Sequence, residues 1–148
     1  MNTLATPEPA GLPPFRAIPD VMREHAQARP QQLALSQGMR SLSWGELDAV
    51  MDRVAATLQH AGVQPRQSIA ICGANSIEYA VAFLGALRAG VAVAPLPTGA
   101  LPEQLAGMVR DSGARFIFAD AGVPAFASEA PRIALEQLAE WLLPASAR

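Results

Sequence analysis

The stretch Ser68–Leu96 reads SIAICGANSIEYAVAFLGALRAGVAVAPL, and Arg115–Asp120 adds RFIFAD. A short apolar run, residues 69–72, stops at Gly73. An almost wholly apolar helix follows over residues 76–89, and Gly90 ends it. Residues 91–94 are a second apolar run. A further helix is predicted over residues 102–111, closed by Gly113, and residues 115–119 are a third run. Short apolar strands alternating with helices predict a parallel sheet with crossover connections. Such crossovers are nearly always right-handed. Strands that are apolar throughout fit a sheet covered on both faces. The fold class is therefore α/β.

The central helix lacks a polar stripe. Ile77, Ala80, Val81, Leu84 and Leu87 form one face, and Tyr79, Ala82, Phe83 and Ala86 another. A helix apolar nearly all round is buried on more than one side. It packs against the helix over residues 43–62 or against structure outside this chain.

Upstream, the signals are those of element ends. Pro19 opens a helix at its first position. Val21, Met22, His25 and Ala26 follow at spacings near 3.6, and the helix stops before Pro30. Gln37-Gly38-Met39 joins two short strands, residues 33–36 and 40–43, as a small hairpin. Ser43 and Glu46 form a capping box. The helix they open carries Leu47, Val50, Met51, Val54 and Leu58 on one stripe. Gly62 ends it, with Val63 placed for the closing apolar contact.

Residues 1–17 are proline-rich and predicted to be a flexible leader. One α/β subdomain spans residues 18–143. Residues 144–148 read as linker or truncated end. The region after Asp120 reads two ways: a short strand over 132–135 with a helix over 136–143, or one continuous helix.

Bulk properties narrow the function. A chain of 148 residues suits one domain and buries roughly 68% of its unfolded surface. Hydrophobic residues are 51% and charged residues 16%, which excludes disorder. A net charge of −2 carries no footprint for nucleic acid. All eleven basic residues are Arg, so chemistry requiring a lysine is closed to this chain alone. The single cysteine, Cys72, permits no internal disulfide. No run reaches the roughly 18 apolar residues of a membrane span. No signal peptide is evident, and a cytoplasmic location is expected.

Candidate sites each have a plainer reading. Gly73-Ala74-Asn75-Ser76 joins a strand to a helix N-terminus, where phosphates bind in many α/β proteins. It matches neither the dinucleotide pattern nor a phosphate loop. Asn75 and Glu78 read more simply as an N-cap with its third residue. Cys72 ends a buried strand and packs as a small hydrophobe. His25 and His60 lack carboxylates at ligand spacing, so no metal site is expected. Glu103, Asp111, Asp120 and Glu136 lie near element ends, where solvated acids are ordinary. No residue is assigned a catalytic, cofactor-binding or metal-binding role.

Taken in order, IPDVMREHAQARP, SWGELD, GVQPRQSIAI, ANSIEYAVAFLGALRAGVAVAPL and DSGARFIFAD resemble the opening of the adenylate-forming (AMP-binding) superfamily, acyl- and aryl-CoA synthetases among them. The likeness runs from about Ile18 to Asp120. Ala74 stands where the family commonly has proline, and Pro97-Thr98 where it commonly has asparagine. The resemblance implies the N-terminal α/β subdomain of an ATP-dependent, AMP-forming acid–CoA ligase or close relative. That chemistry joins a carboxylate to ATP and then passes the acyl group to a thiol. ATP, Mg and CoA are implied for the whole enzyme. The family's phosphate loop, ribose-binding Asp and C-terminal lysine have no counterpart here, so the chain alone is expected to be inactive and to bind none of them. The implied partner is the remainder of the enzyme. The alternative is a free-standing scaffold or interaction domain paired with a second polypeptide, and self-association is a further expectation. Tyr79, Phe83 and the Phe116/Phe118 strand are expected to supply the exposed apolar surface.

Overall fold

The computed structural model describes residues 11–144. Most of the predicted leader and the last four residues lie outside them. In order, the elements are α1 (Ile18–Ala28), β1 (Leu33–Gln37), β2 (Arg40–Ser43), α2 (Trp44–His60), β3 (Ser68–Cys72), α3 (Ile77–Arg88), β4 (Ala92–Pro95), α4 (Pro102–Ser112), β5 (Ala114–Ala119) and β6 (Arg132–Ala134). A short 3-10 turn, Leu135–Gln137, and α5 (Leu138–Trp141) follow.

Local chemistry sets most boundaries. The hairpin β1–β2 is antiparallel, with Gln37 opposite Arg40 and Gly38 at φ 59 between them. The Ser43–Glu46 capping box forms in both directions: the Glu46 amide donates to Ser43 Oγ, and the Ser43 amide donates to Glu46 Oε2. At the other end of α2, Gly62 takes φ 87. Its amide donates to the Gln59 carbonyl, and that of Val63 to the Leu58 carbonyl. This is the double-bonded glycine stop that spares a helix its orphan carbonyls. Pro19 lies one place inside α1, which begins at Ile18.

The second sheet has the order β4-β3-β5-β6, all parallel. The chain leaves β3 through α3 to reach β4 on one side, then crosses back through α4 to β5 on the other. Right-handed crossovers in opposite directions place their helices on opposite faces. One face, with Ile69, Ile71 and Phe118, packs under α2 and α3. The other, with Ala70, Cys72, Ile117 and Ala119, packs under α4 and the loop carrying Val123. The Ala92 and Leu96 amides donate to the Gln67 and Ile71 carbonyls on the β3 side, so by alternation the backbone nitrogens of Val93 and Pro95 face away from β3. Pro95 has no amide to offer another strand, so this sheet edge is blunted.

The region after Asp120 takes the strand-then-helix form. Ile133 pairs with Phe118, which excludes one continuous helix. The strand stops at Ala134, one residue short of the expected end. Trp141 sets its ring edge-on to Phe116 and Phe118, with centroids 5.8 and 5.1 Å away.

No residue of α3 is exposed. Its partner is α2, and Gly85 sets their separation: a Cβ there would lie 2.4 Å from Val54 Cβ. At the end of α3, Arg88 donates to the Asp48 and Pro19 carbonyls and pairs with Asp48 and Asp52. It thereby ties α1, α2 and α3 together. The expected apolar surface is corrected throughout: none of its four residues is exposed. Phe118 is fully buried because Trp141 and the helices cover it, while Tyr79, Phe83 and Phe116 are half-buried. Among the described residues, no helix is long and apolar enough to cross a membrane.

Candidate functional site

In an open parallel sheet, ligands bind outside the C-terminal strand ends, where neighbouring connections part to opposite faces. Here that place lies between β3 and β5. The connection after β3 turns to the α3 face, and the loop after β5 turns to the α4 face. A cleft of about 390 Å³ opens there, bounded by Ala74, Asn75, Ser76 and Glu78, by Asp120 and Glu136, and by Gln37 and Arg40 of the hairpin.

Several donors around this cleft are taken within the chain. The Ala74 amide donates to Asp120 Oδ2 at 2.7 Å. The Ile77 amide donates to Gln37 Oε1 at 3.1 Å, and the Tyr79 amide to Ser76 Oγ at 3.0 Å. The Ala121 amide is shared between both Glu136 oxygens, at 3.0 and 3.1 Å. Asp120 thus sits where an incoming anion would meet the turn after β3, and its charge opposes one. The Glu136 carboxylate adds to that field.

Two features were not visible in the sequence. Arg40 on the hairpin clasps Glu78 through its two terminal guanidinium nitrogens, with Nη2 at 2.8 Å from Oε2. Arg40 also donates to Gln37 Oε1, so Gln37 links the hairpin to the start of α3. The Arg40 hydrogen bond holds the Glu78 carboxyl below its ordinary range. The expected Asn75–Glu78 cap is therefore replaced. Ser76 is the N-cap, with φ −153 and ψ 166. That shift of one residue puts Tyr79 in the third position, and Glu78 is left free to meet Arg40.

The other candidates stand apart. Cys72 is buried, and burial pushes its thiol up, away from the nucleophilic thiolate. His25 lies 4.6 Å from the Trp44 ring and bonds Arg29. His60 is exposed at the end of α2, and Glu103 and Asp111 are exposed on α4. Among the described residues, no three His, Cys, Asp or Glu side chains are grouped to hold a metal.

Comparison with known proteins places this arrangement. The model of the AMP-binding enzyme family matches residues 22–144. The chain belongs to the AMP-binding enzyme family. Within it, the chain is 35% identical over 73% of its length to polyketide synthase PksN of Bacillus subtilis, spanning 2% of that protein. It is 32% identical over 77% of its length to the AMB antimetabolite synthetase AmbB of Pseudomonas aeruginosa, spanning 9% of that one. The fold matches the N-terminal subdomain of NpsA from Klebsiella oxytoca with a TM-score of 0.76 at 21% identity, over 85% of this chain and 33% of that one. It also matches the O-succinylbenzoate coenzyme A synthetase MenE of B. subtilis in complex with AMP, with a TM-score of 0.73 at 23% identity, over 80% and 32%. The chain thus resembles the N-terminal portion of adenylate-forming enzymes and spans a small part of its curated relatives.

Proposed function

We propose that this chain is the N-terminal lobe of an ATP-dependent enzyme that activates a carboxylate as its acyl-adenylate and passes the acyl group to a thiol. The family match over residues 22–144 carries this reading. The sheet between two helical layers is the scaffold part of that enzyme. Its own crevice, lined by the Asp120 and Glu136 carboxylates, is not where the nucleotide binds. ATP, Mg and the thiol are handled by the remainder of the enzyme, in the cytoplasm. The phosphoryl charge that develops in such a reaction needs cations and preorganised donors, and a chain without lysine leaves these to its partner.

The thiol acceptor is either coenzyme A or a thiol on a carrier protein. The two are separated by offering each acceptor to the reconstituted enzyme.

The test is acid-dependent pyrophosphate exchange with ATP and magnesium. The purified chain should show none above buffer across short, long and aromatic acids. The product of the reading frame that includes this chain and continues into a glycine-rich loop should show it. Turnover by the 148-residue chain alone would overturn the division of labour. A continued product that folds but never exchanges would overturn the activity.

A further inference from the structure

We draw no further inference here: the strongest candidate, the acid-lined crevice between the C-terminal ends of β3 and β5, is an acidic cluster at a helix N-terminus whose Ala74, Ile77 and Tyr79 amides are already bonded within the chain, and nothing in the structure shows a ligand for it.

Discussion

Gly73 and Asp120 are in contact across the ends of two neighbouring strands. A Cβ on Gly73 would lie 2.7 Å from Asp120 Oδ1, and the next amide, that of Ala74, donates to Oδ2 at 2.7 Å. Gly73 therefore leaves room for a carboxylate that lines the crevice. Gly73→Ala should displace Asp120 and strand the Ala74 amide. Ala74 is open to water, so its freed amide is resolvated and the lost hydrogen bond costs only about 0.5–1.5 kcal/mol. Urea unfolding should show Gly73→Ala and Asp120→Ala destabilised by similar amounts, and the double variant by much less than their sum. Full additivity would show that the two do not act through one contact.

The α2–α3 joint makes a sharper steric prediction. Gly85→Ala places a methyl group 2.4 Å from Val54 Cβ, and both residues are on packed helices. Overpacking of this kind costs typically about 1–3 kcal/mol, although alanine is intrinsically the better helix former. Adding Val54→Ala should recover part of the loss. Thermal unfolding of the two single variants and the pair checks this. A Gly85→Ala protein as stable as the parent would mean that the helices have room to separate.

A third prediction concerns backbone strain. Among the described residues, Arg66 is the only non-glycine with positive φ, at 70. It is the third residue of the turn closed by the Gln67 amide on the Gln64 carbonyl, with Pro65 second. Glycine is preferred there in a type II turn. An L-residue in this region costs roughly 1–2 kcal/mol, and glycine gives back roughly 0.5–1 kcal/mol through its freer unfolded state. Arg66→Gly should therefore raise the denaturant midpoint slightly, with an unchanged slope. A lowered midpoint would assign the Arg66 side chain a stabilising contact.

The Arg40–Glu78 clasp should be felt as pH dependence. The Glu78 carboxyl is held below its ordinary range, chiefly by the hydrogen bond from Arg40. A depressed folded-state value means that its contribution is fully present above the unfolded value. It is lost as pH falls through the folded one. Both partners are partly open to water, so the effect is small and weakens with salt. Stability of the parent should fall more steeply than that of Glu78→Gln as pH drops below about 4.3, the ordinary glutamate value. Parallel curves for the two proteins would remove the clasp as a source of stability.

The elements with local chemistry were legible in the chain itself. Ser43 and Glu46 lie three residues apart and cap one helix; Gly62, Gly90 and Gly113 take positive φ where helices end. The parallel strands followed from apolar runs too short for helices, separated by segments with helical spacing. These signals survive because they depend on neighbours within one turn or on simple periodicity. The N-cap of α3 was misplaced by one residue, at Asn75 instead of Ser76, because two adjacent polar residues can each cap and only the packed start of the helix decides between them. The strand-or-helix ambiguity after Asp120 ended for a similar reason: three residues, Arg132 to Ala134, are fixed by pairing with β5.

By itself, then, the sequence determined the α/β class, the order of its elements and its resemblance to adenylate-forming enzymes. Only the tertiary structure decided the contents of the crevice. Ala74 and Asp120 are 46 residues apart in the chain, Arg40 and Glu78 are 38 apart, and no local pattern links either pair. The same holds for the unpolar central helix, whose cover turned out to be α2 through Gly85 and Val54, and for Phe118, which Trp141 closes from the far end of the chain. Local propensity is read from a few neighbouring residues. A charge clasp or a close helix crossing exists only once the sheet has brought distant segments together.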